Sequence, residues 1–444
     1  MRIAIVGAGI AGITTAHELA VDGHQVTVLE QQEGVAAGAS FAHSGLIAPA
    51  LLEPVARADQ KRGLLRRAPA TADALDTPRD WSGASRRWRR QWQSACANGS
   101  DQARLSLIDL GRWSLERQKA LISTLHLEHE RSDGVLVVAR DSDSLDRKMA
   151  RLEGVQAAGQ RVTRLDADGC RQIEPGLNPD TPLAGGIRIE EGGAGNCREF
   201  VHQLRLIDEA HHDVKYHFGV SVCHLQRKGD VLQLRLSQRQ NARDDSAPTR
   251  QRAFLPTRPM ELPAQLEFDA VVLATGPDAL PLLREAGADL PLQPVWGRTA
   301  TFRLRNDWAQ LPLRSALVDA ETGIRLTRMG QRLRVGGGHV LGALPQGDVE
   351  QLFMPLYQVL DRWLPLAARR GDVQIWQGAR PTLPDGLPLI GPAPLEGVWL
   401  QLGHADHGWT LACGAARLLA DQIAGRSSEI DATPFASLAS RGWS

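Results

Sequence analysis

The stretch that decides the fold is residues 2–30, RIAIVGAGIAGITTAHELAVDGHQVTVLE. It begins with a short β-branched run, continues through the glycine-rich turn GAGIAG, and then places apolar residues at helical spacing. The segment HQVTVLE follows with the composition of a second strand. This order predicts a β-turn-α-β unit, the building block of a sheet with parallel strands.

The glycines of this turn have the G-x-G-x-x-G spacing of dinucleotide-binding proteins. Gly7 permits the tight turn, Gly9 lets the backbone approach a pyrophosphate, and Gly12 lets the helix pack closely on the strand. The helix N-terminus then presents unpaired N–H groups to phosphate. Glu30 ends the second strand, where a carboxylate can bind ribose hydroxyls, and the two residues after it are not basic, which argues against a 2′-phosphate. Both NAD and FAD fit this pattern.

Two further segments favour FAD. Residues 34–47, GVAAGASFAHSGLI, are small or hydroxyl-bearing and would let the backbone lie against the ribityl chain and diphosphate of a flavin. Residues 271–277, VVLATGP, have the pattern of a buried strand that ends in Thr275-Gly276. Such a turn commonly closes over the nucleotide in flavoproteins that bind two dinucleotides.

The bulk composition is that of an ordinary globular protein. The 444 residues carry 51 Lys and Arg against 51 Asp and Glu, and 43% are hydrophobic. The balanced charge gives no reason to expect nucleic acid as a partner, and the length predicts two interleaved or sequential domains. Five scattered cysteines without a CxxC pair indicate reduced thiols and a cytoplasmic protein. The N-terminal apolar run is interpreted as a strand rather than a signal peptide, and no transmembrane helix is expected.

Basic residues concentrate in residues 61–90, in the runs KRGLLRR (61–67) and RRWRR (86–90). A solvated helix face is one interpretation of this pattern. Because Trp88 and Trp92 lie among the arginines, the other interpretation is a peripheral contact with anionic lipid or with a partner protein.

Two C-terminal motifs carry candidate chemistry. In WQGARPTLPDGLPLIGP (376–392), Arg380 has small and rigid neighbours, so its guanidinium could bind a carboxylate with two parallel hydrogen bonds. A structural pair with an acid such as Asp385 is the alternative. In GHADHGWT (403–410), titratable side chains stand together, but no fourth ligand cluster supports a metal site. Thr410 begins a helical pattern whose positive end could face a flavin carbonyl.

The ordered set of these motifs resembles the FAD-dependent amine oxidoreductases of the D-amino-acid oxidase type, most of all the small subunit of bacterial D-amino acid dehydrogenase. The matching stretches are the N-terminal unit, SFAHSGLIAP (40–49), LTRMGQRLRVGGG (326–338), WQGARPTLPDGLPLIG (376–391) and LGHADHGWTLACGAARLLADQIAGRSSEID (402–431). The resemblance implies an α/β fold. A Rossmann-like FAD-binding domain of discontinuous segments (1–80, 198–290 and 376–444) is joined by a substrate domain with a large mixed, mostly antiparallel sheet (81–197 and 291–375).

The cofactor contacts are predicted from the motifs and from the family resemblance. The resemblance alone implies that the Val222 backbone contacts adenine. The predicted contacts are Gly7, Gly9, Ile10, Ala11, Gly12, Glu30, Gln31, Ser40, His43, Ser44, Gly45, Val222, Thr275, Gly276, Gly403, Gly408, Trp409 and Thr410. Arg380 matches the arginine that binds the substrate carboxylate in the family. Relatives usually add a tyrosine there, but neither Tyr216 nor Tyr357 is suitably placed. The candidates to replace it are His43, His339 and His407.

We therefore expect FAD-dependent oxidative deamination of a D-amino acid or a related small amino acid. Hydride would pass from Cα to flavin N5, and the imine would hydrolyse to a 2-oxo acid. Glycine, sarcosine and proline-type cyclic amines are alternative substrates, and the electron acceptor is a quinone, another carrier or O₂.

A non-catalytic FAD-binding subunit of a larger complex is an alternative of another class. A flavin monooxygenase is disfavoured because the late Gly-Asp phosphate turn is missing. Neither a metal ion nor nucleic acid is expected. The predicted location is the cytoplasm or the inner face of the cytoplasmic membrane.

Overall fold

A computed structural model describes residues 1–56, 83–98, 101–238, 262–305 and 313–436 of the chain. The helices of these residues are α1 (Ile10–Val21), α2 (Gly83–Asn98), α3 (Asp101–Leu125), α4 (Ser142–Ala157), α5 (Ala167–Ile173), α6 (Cys197–His211), α7 (Leu280–Glu285), α8 (Val349–Trp363), α9 (Gly408–Ile423) and α10 (Thr433–Ala436). The strands are β1 (Arg2–Val6), β2 (Gln25–Glu30), β3 (Leu46–Ile47), β4 (Ser132–Ala139), β5 (Val162–Leu165), β6 (Gly185–Ala194), β7 (Lys215–Phe218), β8 (Val220–Lys228), β9 (Val231–Gln238), β10 (Gln265–Phe268), β11 (Ala270–Leu273), β12 (Gln293–Leu304), β13 (Ala316–Asp319), β14 (Arg325–Met329), β15 (Arg332–Leu341), β16 (Ala368–Thr382), β17 (Leu389–Pro392) and β18 (Val398–Leu402).

A six-stranded sheet forms around the N-terminal β-turn-α-β unit, in the order β17-β18-β11-β1-β2-β7. β1 pairs in parallel with β2 and with β11, whereas β17 runs antiparallel to β18. Alternate residues of β1 belong to different core clusters: Ile3 and Ile5 pack with α1 and α9, and Ala4 and Val6 pack with the three-stranded antiparallel sheet β10-β9-β8. Because both faces of the sheet are covered, β1 and β11 are nearly uniform runs of buried apolar residues.

A second sheet has nine strands, in the order β16-β12-β15-β14-β13-β4-β6-β3, with β5 paired to β6. β13 and β4 run parallel, and the other neighbours run antiparallel. One face of the sheet is covered by α8, whose Phe353, Leu356 and Trp363 lie in the same core cluster as Phe302 and Val335. Spacings of three and seven residues place the three α8 side chains on one helix face. The predicted fold class, a Rossmann-like domain combined with a large mixed, mostly antiparallel sheet, is confirmed.

Two of the segments that the sequence assigns to the cofactor domain contribute to the nine-stranded sheet. β3 (Leu46–Ile47), within the assigned segment 1–80, pairs with β6. The boundary at residue 376 falls inside β16, which pairs with β12 along most of its length. Strand pairing depends on residues that are far apart in the chain, so local sequence motifs do not predict it. The division into domains at these residue numbers stays a prediction.

The two large sheets meet where β16 ends. Thr382, the last residue of β16, forms an isolated antiparallel bridge with His404. His404 follows β18 of the six-stranded sheet and precedes the short 3-10 turn Ala405–His407, which leads directly into α9. The bridge therefore brings Arg380, two residues before Thr382, beside the motif that contains Asp406.

The basic stretch is described only in part. Residues 61–82 lie outside the described residues, whereas the run RRWRR (86–90) lies in α2. Trp88 is 0% exposed and donates from Nε1 to the Thr382 carbonyl at 3.1 Å, and the 3% exposed Trp92 donates to the Val55 carbonyl at 3.1 Å. Neither tryptophan is therefore accessible to lipid, so a contact there would depend on arginines alone. None of the described helices is both long enough and apolar enough to cross a membrane.

Candidate active site

The turn between β1 and α1 is shaped by its three glycines in two different ways. A Cβ on Gly7 would lie 2.5 Å from the Ala274 carbonyl oxygen, and one on Gly12 would lie 1.9 Å from the Gly7 carbonyl oxygen. These two glycines are required by the packing of the turn itself. A Cβ on Gly9 would meet only Ser40 Oγ, at 3.5 Å. The open space beside Gly9 is where the sequence predicts the cofactor diphosphate.

The other predicted nucleotide contacts surround this turn. The Glu30 carboxylate accepts hydrogen bonds from the Ala8 N–H at 2.6 Å and from the Gln32 N–H at 2.8 Å, which fix it at the end of β2. Gln31 donates from Nε2 to Asp278 Oδ2 at 3.0 Å, so the loop after β11 closes over the end of β2. In that loop the buried hydroxyl of Thr275 has no hydrogen-bond partner among the described residues, and Gly276 adopts φ 65°. A fixed carboxylate and an unsatisfied buried hydroxyl fit the ribose and phosphate groups of FAD.

The segment from Ser40 to Gly45 crosses from the glycine turn to the nine-stranded sheet. Ser40 Oγ accepts from the Ile10 N–H at 3.1 Å, in the first turn of α1, which also contains Ala11. The Ser44 carbonyl accepts from Thr327 Oγ1 of β14 at 2.6 Å. The first turn of α1 and strand β14 thus hold the ends of the segment predicted to follow the flavin side of the diphosphate.

Val222 lies on β8, where the register with β9 shifts between Val222 and His224. Gly403 adopts φ 78° just before the bridge residue His404, and Gly408 begins α9. The Trp409 side chain is buried in the core against Phe200, so any cofactor contact of Trp409 would be through its backbone. The roles predicted for these residues stay predictions.

Arg380 is buried in the wall of a cavity of about 350 Å³, with 5% of its surface exposed. It lies on β16 opposite Val295 of β12, and its guanidinium crosses the place where Gly297 has no side chain: a Cβ there would lie 2.1 Å from Arg380 Nη2. Among the described residues, Arg380 Nη1 has no hydrogen-bond partner. Burial lowers the pKa of Arg380, and the carboxylate of Asp406 acts in the opposite direction. A buried guanidinium nitrogen without a hydrogen-bond partner has the chemistry to bind an anionic group, as the sequence predicts for Arg380.

Asp406 is the acid that faces this guanidinium. Its Oδ2 accepts from Arg325 Nη1 at 2.7 Å and lies 4.0 Å from Arg380 Nη1. His339 Nε2 is 3.8 Å from Oδ2, and His407 Nδ1 is 3.6 Å from Oδ1. Burial alone would raise the pKa of Asp406, but the surrounding positive groups, Arg325 above all, hold it well below its usual value. The sequence does not assign Asp406 a role, since the tertiary contacts that surround it are not local.

The three predicted histidines all line the cavity together with Arg380. His43 accepts from the Gly45 N–H at Nδ1 (3.1 Å), which leaves Nε2 to donate to the Asp406 carbonyl at 3.3 Å. Burial and the charge of Arg380 lower the pKa of His43 to about 3, so the ring is neutral. His407 is bonded through Nε2 to the Glu53 carbonyl at 2.9 Å. Their catalytic roles stay predictions.

A group of charged residues that sequence patterns did not single out lines another part of the cavity. It consists of Glu53, Arg104 of α3, and Arg147, Lys148 and Arg151 of α4. Arg104 and Arg151 both bond the Glu53 carboxylate. No sequence motif marks these residues. Charged residues on helices are usually solvated, so their pattern alone does not indicate a cavity.

Metal-ligand geometry occurs away from the cavity. Of the described residues, His17, Asp208 and His212 bring one ligand atom each within 4.8 Å of one another, whereas the titratable residues of the 403–410 motif do not form such a group. His17 Nδ1 and Asp208 Oδ1 lie 2.7 Å apart in the buried contact between α1 and α6. We therefore interpret this group as a structural contact between His17 and Asp208.

A dinucleotide-type glycine turn in one sheet and a cavity lined by Arg380 of the other sheet are the features expected of a flavin-dependent oxidoreductase. The sequence profile of the family described as DAO, FAD dependent oxidoreductase, matches residues 2–422. The chain belongs to this family of FAD-dependent oxidoreductases, as its motifs predicted, and its cofactor is FAD.

Relatives with curated names cover nearly the whole chain. The chain is 32% identical to a D-amino acid dehydrogenase of Cereibacter sphaeroides over 97% of its own length and 93% of the relative. It is 29% identical to a D-amino acid dehydrogenase of Granulibacter bethesdensis, with 97% of each chain covered. Among solved structures, glycine oxidase from Geobacillus kaustophilus is similar, with a TM-score of 0.72, 20% identity and 98% of each chain covered. That likeness concerns the fold.

Proposed function

We propose that the protein oxidises a D-amino acid to the corresponding 2-oxo acid. The observation that carries the proposal is the unpartnered Nη1 of Arg380 in the cavity wall, where a substrate carboxylate can bind. The relatives named D-amino acid dehydrogenase support this substrate class. When bound, FAD accepts the hydride that leaves the substrate Cα. The substrate nitrogen loses a proton to water, and water adds to the resulting imine and releases ammonia.

The side chains of the cavity fix the substrate rather than react with it. Arg380 binds the α-carboxylate, and its burial limits the orientations that the substrate can take. Asp406 stays ionised and lies 4.0 Å from Arg380 Nη1, so it is suited to accept hydrogen bonds from the substrate amino group. His43 is neutral with both ring nitrogens bonded to backbone, and it therefore acts as a wall of the cavity and not as a base.

An anaerobic substrate screen tests the proposal. The purified protein with FAD is mixed with D-amino acids and their L-enantiomers, and with glycine, sarcosine, proline and hydroxyproline derivatives, while the flavin absorbance is followed. Bleaching by D-amino acids is expected. Bleaching by glycine, sarcosine or cyclic amines alone would replace the proposed substrate by the alternative class. An FAD-containing protein that no amine bleaches would instead indicate a non-catalytic FAD-binding subunit.

The electron acceptor and the site of action form a second, separate proposal. We infer that a quinone or another carrier reoxidises the flavin, in keeping with relatives that are named dehydrogenases. A cytoplasmic protein that docks on the inner face of the membrane would use the exposed Arg86 and Arg90 of α2 with the rest of residues 61–90. Binding to anionic vesicles at low salt, lost at high salt, is the expected result. Rapid turnover with O₂ and no vesicle binding would contradict it.

A further inference from the structure

Besides Arg380, the cavity wall contains a second arginine with an unsatisfied nitrogen. Arg104 projects from α3, and its side chain is 15% exposed. Its Nε donates to Glu53 Oε1 at 3.0 Å, but its buried Nη2 has no hydrogen-bond partner among the described residues. A guanidinium nitrogen that has lost water without gaining an acceptor is unfavourable unless a ligand supplies the acceptor.

The charges around Arg104 strengthen this expectation. Glu53 is shared, because Arg151 also donates to it from Nε at 3.0 Å and from Nη2 at 2.7 Å. Arg147 bonds the neutral hydroxyl of Ser144 at 2.8 Å, and Lys148 lines the same wall. This wall, defined as Glu53, Arg104, Arg147, Lys148 and Arg151, therefore carries four cationic groups and one carboxylate. We call it the basic wall.

The basic wall is connected to the Arg380 end of the cavity. The Glu53 carbonyl accepts from His407 Nε2 at 2.9 Å, and His407 is adjacent to Asp406, which faces Arg380. The Arg380 end has its own acid in Asp406 and binds one carboxylate in the proposed function. The proposed function assigns no acceptor to Arg104 Nη2.

The turn residues predicted to hold the diphosphate, Gly7, Gly9 and Ile10, are not among the residues that line the cavity. The predicted cofactor contacts that do line it are His43, Ser44 and Thr410, at the Arg380 end. A molecule that enters the cavity can supply the acceptor for Arg104, and a volume of about 350 Å³ admits a small amino acid.

We propose that the preferred substrate carries a second carboxylate on its side chain, so that the enzyme is specific for dicarboxylic D-amino acids. Arg380 binds the α-carboxylate and Arg104 the distal one, with Arg147, Lys148 and Arg151 adding attraction for an anion. The inference rests on the proposed function, since it assigns the substrate class of the same site.

The test compares acids with their uncharged isosteres in anaerobic flavin bleaching. The substrates are D-aspartate and D-glutamate against D-asparagine and D-glutamine, with D-alanine as a small neutral reference. The variants are Arg104→Gln and Arg104→Lys, with Arg112→Gln as the matched control: it lies on the same helix α3 but outside the cavity wall. The acids should be preferred over the amides by at least about 10-fold in kcat/KM, as expected for one charge-assisted hydrogen bond.

Arg104→Gln should remove most of this preference by raising KM for the acids while leaving the amides nearly unchanged. Arg104→Lys should restore part of it, and Arg112→Gln should behave as the wild type. If D-alanine or the amides bleach the flavin as well as the acids do, the inference fails and the proposed function stands. Equal losses for acids and amides in Arg104→Gln would show a structural role and also overturn the inference. If no D-amino acid bleaches the flavin, the proposed function fails, and the inference with it.

Discussion

Asp406 Oδ2 accepts a 2.7 Å hydrogen bond from Arg325 Nη1, and this pair is buried in the wall of the cavity. Arg325 is the first residue of β14 in the nine-stranded sheet, whereas Asp406 lies in the turn that precedes α9. The same carboxylate lies 4.0 Å from Arg380 Nη1, so one acid, 7% exposed, stands beside two guanidinium groups. Its removal therefore takes negative charge away from both arginines.

The first prediction concerns this acid. Asp406→Asn should lower the free energy of unfolding by about 3 kcal/mol at pH 7, because losing one partner leaves buried charge uncompensated. The pKa of Asp406 is lower in the folded protein than in the unfolded chain. Its contribution to stability is therefore fully present above the unfolded pKa and is lost as the pH falls below that pKa towards the folded one. Urea unfolding at pH 7 measures the effect. The control Asp372→Asn breaks an exposed pair with Arg303 and should change stability by less than about 1 kcal/mol. Equal effects of the two substitutions would contradict the compensating role of Asp406.

The second prediction concerns Arg380. Arg380→Ala should raise the dissociation constant of the substrate on the order of 100-fold, since it removes charge-assisted hydrogen bonds to the carboxylate. FAD should stay bound, and Arg303→Ala, at a 70% exposed side chain of β12 in the same sheet, should leave binding unchanged. Stopped-flow bleaching measures the substrate affinity, and the flavin absorbance measures the cofactor content. Unchanged affinity in Arg380→Ala would remove this residue from the substrate site.

The third prediction is a pH dependence of stability. Burial, followed by the charge of His407, lowers the pKa of His404 from 6.5 to about 4. The unfolded chain then binds this proton before the folded protein does, so stability falls as the pH drops from about 7 towards 4. Between pH 7 and pH 5 the loss from His404 is about 2 kcal/mol. His404→Asn should lose correspondingly less stability over this interval, whereas His202→Gln, at an exposed position of α6, serves as the substitution control.

The fourth prediction separates the glycines of the nucleotide turn. Gly9 has φ −74° and open space beside it, so Gly9→Val should leave the apoprotein folded but block FAD binding. Gly12→Ala should destabilise the apoprotein itself by about 2 kcal/mol or more, because its Cβ would overlap the Gly7 carbonyl. Gly154→Ala, in α4 with nothing nearby, is the control and should be neutral or slightly stabilising. The ratio of flavin to protein absorbance and the Tm without FAD distinguish the three. FAD retention by Gly9→Val would place the diphosphate elsewhere.

The cofactor half of the protein was predictable because its determinants are local. Strand, turn and helix follow one another in residues 2–30, and Gly7, Gly9 and Gly12 stand at fixed offsets that the turn geometry requires. Arg380 was singled out from the sequence by its place in the motif GARP, and the structure places it in the cavity wall, while its substrate role stays a prediction. The same motifs supported FAD and the family, both of which the comparisons confirmed.

The sequence by itself determined the β-turn-α-β unit and the cofactor class, because backbone sterics and short-range periodicity act within a few residues. The anion-binding role that it predicts for Arg380 stays a prediction. Only the tertiary structure decided what surrounds Arg380. Arg325 and His339 come together through the pairing of β14 with β15, the bridge at Thr382 brings in Asp406, and Arg104 reaches the same cavity from α3. Charges far apart in the chain interact only once packing removes the water between them, so the selectivity of the cavity is a property of the folded protein.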